Sequence, residues 1–242
     1  MAALRSAGTT GEDALSRSAR ALRGAAAAAA VALPIVLLAL LVREQFDPLI
    51  RFDEAVIKWA TGVTRSTGLA PMFVAVQEAS TPVVVHVLAS LVALWAFVAK
   101  GLRSRAVWAF ATLMVGWFLG YALKLVVQRA RPVVDDPVSH APGYSFPSGH
   151  ATNIAVVTSV LVFLLWPLLS SATRKTAVAT AVAVAVVVGL DRIFLGVHFP
   201  SDVLAGLLLG VGITFSSWIG FIGKTAVTSS PGPSAPASSS GG

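Results

Sequence analysis

Six long apolar runs dominate this chain: residues 24–42, 81–99, 107–127, 151–169, 176–190 running on to Gly196, and 203–223. Each approaches the roughly 20 residues an α-helix needs to cross a bilayer. Of the 242 residues, 56% are hydrophobic and 12% charged, whereas a soluble domain carries about 25% charged residues. The expected fold is therefore all-α, an integral-membrane bundle of six transmembrane helices over residues 24–223. A basic segment, 1–23, precedes it. Residues 224–242 follow as a tail of Ser, Pro, Gly and Ala that cannot bury enough apolar surface to order itself. The connections are short except at 43–80 and 128–150, and long loops in compact chains tend to carry function.

The net charge of +7 is not gathered into a soluble basic patch with aromatic partners, so nucleic acid is not the expected partner. The cations mark topology instead. Arg5, Arg17, Arg20 and Arg23 precede the first run, and the connections 100–106 and 170–175 hold Lys100, Arg103, Arg105, Arg174 and Lys175 without an acid. The loop after the first run balances Arg43, Arg51, Lys58 and Arg65 against Glu44, Asp47, Asp53 and Glu54. The positive-inside bias then places both termini in the cytoplasm, with the protein multi-pass in the plasma membrane. The first run is longer than the roughly 7–15 residues of a signal-peptide core, so it is expected to remain as a span. With no cysteine, neither disulfides nor thiolate chemistry is available. Close helix approach at small residues such as Gly206, Gly210 and Gly212 is the expected source of stability.

Ionisable groups near spans are costly and mark sites by default. The run KLVVQRARP holds Lys124 and Arg131-Pro132 at the outer end of the third span. Seven residues make about two helical turns, so a continuing helix would put both cations on one face before Pro132 ends it. Ser145-Phe146-Pro147-Ser148-Gly149-His150 precedes the fourth span. Pro147 and Ser148 suit a helix start, Gly149 admits a ligand to the backbone, and the free N–H groups of a helix N-terminus attract anions. The third group, Arg192, His198 and Asp202, sits between spans five and six. A carboxylate four residues after a histidine can fix its tautomer and leave the other ring nitrogen as nucleophile or base. Taken singly, each group also fits an ordinary role: snorkelling anchors, a capped helix with an interfacial histidine, a surface histidine beside an N-terminal acid. Topology brings the three to one extracytoplasmic face. Together they supply cations, a helix N-terminus and two histidines, the parts that phosphoryl transfer needs.

Lys124-x6-Arg131-Pro132, Pro147-Ser148-Gly149-His150 and Arg192-x5-His198-x3-Asp202 resemble the tripartite signature of the type 2 phosphatidic acid phosphatase superfamily, in its integral-membrane bacterial form. The resemblance covers residues 81–223. It implies a metal-independent phosphatase without cofactor, in which His198 attacks phosphorus, Asp202 orients it and His150 protonates the leaving oxygen. Lys124, Arg131, Arg192, Ser148 and the Gly149 amide would hold the phosphoryl oxygens, and water would cleave the phosphohistidine. The usual third motif begins Ser-Arg, and here Asp191 stands before Arg192. Neighbouring helical residues point about 100° apart, so Asp191 is expected to face Lys124 or Arg129.

The substrate is expected to be a lipid phosphate or diphosphate reached from the membrane. Composition rich in Ala, Gly and Val is similar to that of bacterial chains and ranks a polyprenyl (undecaprenyl) diphosphate first, then phosphatidylglycerol phosphate or phosphatidate. A phosphotransferase could use the same residues. Vanadium-dependent haloperoxidases share the signature, but they resemble soluble proteins. A lipid-binding or lipid-moving protein would need only the cations and amides, so the intact His198, His150 and Asp202 favour the enzyme. Gln77 and Glu78 are expected to edge the pocket, His86 to pack between helices and His140 to face solvent. Trp95, Trp108, Trp117, Trp166 and Trp218 are expected to pack the spans and their interfaces.

Overall fold

The computed structural model describes residues 2–134 and 137–221, with side chains from Ser18 onward; the tail expected to be disordered lies outside the described residues. The described residues are helical and contain no strand. In chain order the helices are α1 (Ala2–Arg43), α2 (Asp47–Thr67), α3 (Ala70–Ala79), α4 (Pro82–Ala99), α5 (Arg103–Val127), α6 (Gly149–Leu165), α7 (Ser171–Phe194) and α8 (Pro200–Phe221), with a 3-10 turn over Trp166–Leu168. Among the described residues, six stretches are long and apolar enough to cross a membrane: Ser18–Arg43, Pro82–Ala99, Arg103–Val127, Gly149–Leu168, Ser171–Phe194 and Pro200–Phe221. The six apolar runs thus become six spans, each within a few residues of its expected bounds. Large apolar side chains such as Leu33, Leu88, Val98 and Phe118 point outward, a cost in water that a hydrocarbon phase removes.

α6 and α8 form the centre. Gly206 and Gly210 let them close: a Cβ at Gly206 would stand 2.8 Å from the Ser148 carbonyl oxygen, and one at Gly210 would stand 2.5 Å from that of Thr152. Gly212 lies against Val31 of α1 in the same way. The small residues read as packing sites do that work. α5 completes the core with Trp108 and Leu113 against Val156, Val160 and Leu164. At the end away from the motifs, Trp108 packs against Trp218 and Phe221. Arg105 there lies over Trp218 and donates to the Phe163 carbonyl, and Arg174 lies over Trp166.

Residues 43–80 depart from the expected loop, because α2 and α3 occupy most of them. α2 begins with Pro48 in its first turn and stops at Gly68, whose φ of 68° is the left-handed conformation that glycine adopts freely. Its buried face is Asp53, Ile57, Ala60, Thr61 and Thr64, so the helix is amphipathic but too low in mean hydropathy to read as a span. Thr64 donates to the Phe194 carbonyl at 2.7 Å, and Phe73 of α3 stacks on the Phe194 ring. α2 and α3 therefore cap the motif end of the bundle. A second departure concerns α5, which ends at Val127 with Gln128 left-handed (φ 53°). Arg131 does not continue the helical face of Lys124; a loop brings it back instead.

Candidate active site

The first motif is closed by the connection after α5, through its described residues 128–134 and 137–148. Ser145 pins it, its N–H donating to the Arg129 carbonyl and its hydroxyl to that of Ala130, both at 2.9 Å. Lys124 Nζ donates to the Tyr144 carbonyl at 2.8 Å, and Arg131 Nη2 reaches the same oxygen at 3.3 Å. The two cations therefore meet on a loop carbonyl.

The second motif starts α6 as expected. Ser148 is the N-cap, its hydroxyl oxygen accepting from the Ala151 N–H at 3.5 Å. Lys124 lies over Gly149, its Cε 3.7 Å from where a glycine Cβ would be. The Ser148 N–H donates to the Asp202 carbonyl at 2.9 Å. That bond ties the start of α6 to the start of α8.

The third motif folds as a turn between α7 and α8. The N–H groups of Val197 and His198 both donate to the Arg192 carbonyl, at 3.2 and 3.3 Å. His198 and Asp202 are buried. Asp202 Oδ2 accepts from the Phe199 N–H at 2.9 Å and stands 3.6 Å from His198 Nδ1, beyond a hydrogen bond but within ion-pair range. His198 Nε2 lies 3.2 Å from Arg131 Nη1. A guanidinium only donates, so Nε2 carries the lone pair and Nδ1, facing the carboxylate, carries the proton. Burial lowers the His198 pKa from 6.5 to about 4, with Lys124 and Arg131 adding to the shift and Asp202 opposing it. The imidazole is neutral near pH 7 and its Nε2 lone pair is available.

His150 lies close enough to His198, Arg192 and Arg131 for their charges to act on it, with the Gln77 main chain beside its ring. Arg192 donates to Gln77 Oε1 at 3.1 Å. Gln77 Oε1 also accepts from the Ser139 hydroxyl at 2.9 Å, so Gln77 edges the site as expected, whereas Glu78 is exposed at its margin. Several buried polar atoms without a partner in the protein belong to this one region: His150 Nε2, Asp191 Oδ1, Arg192 Nε and His198 Nδ1. Such atoms are rare in folded chains. His86, by contrast, is paired with the carbonyls of Pro82 and Leu113, and His140 is exposed. Among the described residues no group of three His, Cys, Asp or Glu could hold a metal ion.

Two findings go against or beyond the expectation. Asp191 does not turn to Lys124 or Arg129; its Oδ2 takes a hydrogen bond from Arg192 Nη2. The long arginine side chain folds back on its neighbour, where the 100° step between Cβ directions does not bind it. Arg129 meanwhile is engaged with Asp53, Ser201 and Asp202. Its run, QRARP, holds two arginines two residues apart, yet nothing local marks Asp53 or Ser201 as partners of Arg129. One cavity, of about 670 Å³, is an apolar groove between α4 and α5 away from the motifs. A smaller one of about 300 Å³, between Arg43, Glu54, Gln128, Arg131 and Phe199, adjoins them.

The PAP2 superfamily model matches residues 85–225. Phosphatidylglycerophosphatase B of Bacillus subtilis is 41% identical over 100 residues, covering 40% of this chain and 48% of that protein. An undecaprenyl-diphosphatase of the same organism is 30% identical over 133 residues, covering 52% of this chain and 62% of its own length. The matches thus span about half to three fifths of these relatives. A solved transmembrane PAP2-type phosphatidylglycerolphosphate phosphatase from Bacillus subtilis superposes with a TM-score of 0.67 at 28% identity, over 82% of this chain and 96% of that one. With the three motifs assembled on the same helical framework and the family model matching more than half of its length, this chain belongs to the PAP2 superfamily.

Proposed function

We propose that this protein is a membrane phosphatase that hydrolyses a lipid phosphate or diphosphate at the extracytoplasmic face of the plasma membrane. The observation that carries the reading is the buried, neutral imidazole of His198, set between Asp202 and Arg131 with its Nε2 lone pair turned to the cations. Nε2 attacks phosphorus, the bond from phosphorus to the leaving oxygen breaks, and His150 gives that oxygen a proton. Water then attacks the phosphohistidine, the P–N bond breaks, and His150 takes the proton from the water. Lys124, Arg131 and Arg192, with Ser148 and the Gly149 amide, neutralise the phosphoryl oxygens, and Asp202 steadies the imidazole. No metal enters this scheme, because fixed cations meet the charge.

Sidedness rests on charge. The acid-free basic connections 100–106 and 170–175 lie at the bundle end opposite the motifs, and such connections stay in the cytoplasm. An outward site suits a polyprenyl diphosphate such as undecaprenyl diphosphate, and likeness to an undecaprenyl-diphosphatase supports that choice. Likeness to phosphatidylglycerophosphatase B favours phosphatidylglycerol phosphate as the second reading. Phosphate release by the purified protein in detergent, with excess EDTA, from polyprenyl diphosphate, phosphatidylglycerol phosphate and phosphatidate decides among them. Release from none of the three would refute the function, and release only after a divalent ion is restored would refute the metal-free mechanism.

A further inference from the structure

α2 contributes a fully buried carboxylate, Asp53, to the motif end of the bundle. A buried carboxylate is retained only with good partners, and those of Asp53 all lead toward the catalytic histidine. Oδ1 accepts from the Ser201 N–H at 3.0 Å; Oδ2 accepts from the Ser201 hydroxyl and from Arg129 Nη2, the latter at 2.7 Å. The other arm of the guanidinium, Nη1, donates to Asp202 Oδ1 and to the Ser201 hydroxyl oxygen, each at 2.7 Å. Arg129 is itself buried, with its guanidinium 4.1 Å from the centroid of the Phe199 ring. Both of its Nη atoms are taken by protein groups, although the side chain also borders the cavity of about 300 Å³ that Arg131 lines.

We propose that Asp53 and Arg129 are positioning residues for the reaction, fixing the carboxylate of Asp202 and preserving its charge for His198. The inference rests on the reading of His198 as nucleophile and Asp202 as its orienter. Two points of geometry support it. Asp202 is held at both oxygens, Oδ1 by Arg129 and Oδ2 by the Phe199 N–H, so the edge it offers to His198 Nδ1 cannot rotate. The charges also balance in a particular way. Arg129 alone would neutralise Asp202 and weaken its hold on an imidazolium; Asp53 takes up the guanidinium charge from the far side, so the trio carries a net negative charge beside His198. An amphipathic helix outside the three motifs thereby acts on the nucleophile from two residues away.

The test uses the full chain in mixed micelles with polyprenyl diphosphate and phosphatidylglycerol phosphate as probes, reading kcat, KM and the thermal midpoint on the same samples. Asp53→Asn keeps the shape and the Ser201 N–H acceptor, removes the charge and replaces the acceptor that faces Arg129 by an amide donor. It should lower kcat about tenfold or more while KM stays within about twofold. Arg129→Lys keeps the buried charge balanced but loses the two-armed fork, and should lower kcat similarly. The acid limb of kcat/KM gives a second readout, set by the groups facing His198: Asp202 of α8, Lys124 of α5, Arg131 of the loop, and His150 and Arg192 of α6 and α7. Asp53→Asn should move that limb to lower pH, and Arg129→Gln to higher pH. Combining the two should give a smaller loss than the product of the single losses. Wild-type kcat in the single variants, with only a lowered thermal midpoint, would reduce the network to an anchor for α2 and overturn the proposal; so would losses that simply multiply. His198→Ala, run in parallel, separates the cases. Activity in that variant would defeat the site reading itself, whereas an inactive His198→Ala beside fully active Asp53→Asn and Arg129→Lys would defeat the positioning role alone.

Discussion

Arg131 reaches the imidazole of His198: its Nη1 stands 3.2 Å from Nε2. The same side chain donates through Nε to the Gly143 carbonyl at 3.0 Å, through Nη1 to Val197 at 2.8 Å, and through Nη2 to Pro142 and Tyr144 at 3.0 and 3.3 Å. All its N–H groups are occupied. On the proposed mechanism the group that neutralises the phosphoryl oxygens also keeps the lone pair of Nε2 directed before substrate arrives, and must release it for attack.

Arg131→Lys is therefore expected to be far from conservative. An ammonium has three donors and no planar fork, so it cannot span the loop carbonyls and His198 together. A fall of at least about tenfold in kcat/KM, roughly 1.4 kcal/mol of transition-state stabilisation, is expected in phosphate release. Wild-type kcat/KM would contradict the role given to the fork.

The depressed pKa of His198 gives activity and stability a common signature. The free enzyme should keep its kcat/KM as pH falls below 6.5, and lose it only as Nε2 takes a proton near pH 4. In the same window the unfolded chain, with its histidine at the ordinary value of 6.5, binds more protons than the folded one. His198 should thus cost the fold nothing above pH 6.5 and progressively more from there down to about 4. A pH series of initial rates, and of thermal midpoints in wild type and His198→Ala, measures both. An acid limb at 6.5 would show an imidazole exposed to solvent.

Asp191 shares the charge of Arg192. Replacing it by the Ser more usual in the family should release that charge toward a bound anion, so turnover is retained or raised in Asp191→Ser. Inhibition by inorganic phosphate or vanadate should strengthen by about threefold or more, the size of a fractional charge interaction at a partly screened site. Weaker inhibition with a tenfold loss of rate would mean that Asp191 is needed to hold Arg192 in place.

The six spans and the meeting of the motifs were legible because both rest on strong signals, long apolar runs and an even count of crossings. α2 was not. Its sequence is amphipathic at helical spacing, but its mean hydropathy is low and its buried face mixes Asp53, Thr61 and Thr64 with Ile57 and Ala60, so a reading built on long apolar runs passes it over. The bend after Val127 was hidden because Gln128, not a glycine, adopts the left-handed conformation there. The links of Arg129 to Ser201, Asp202 and Asp53 cross 72, 73 and 76 residues. Such pairs are products of the assembled bundle and leave no local trace.

The proposed outward orientation of the site is open to labelling, since the chain has no cysteine. His140 and Ser104 are both exposed, on the motif side and beside the basic α4–α5 connection respectively. A single Cys in His140→Cys should react with a membrane-impermeant thiol reagent in intact cells, while one in Ser104→Cys should react only after permeabilisation. The opposite pattern would invert the topology.

One measurement addresses His198 as the proposed nucleophile directly: phosphate release by purified His198→Ala, with the folded fraction of the detergent-extracted protein measured on the same sample. No neighbouring group can replace an imidazole held between Asp202 and Arg131, so a loss of at least about a thousandfold is expected with the fold intact. Turnover close to wild type in a folded His198→Ala protein would contradict it.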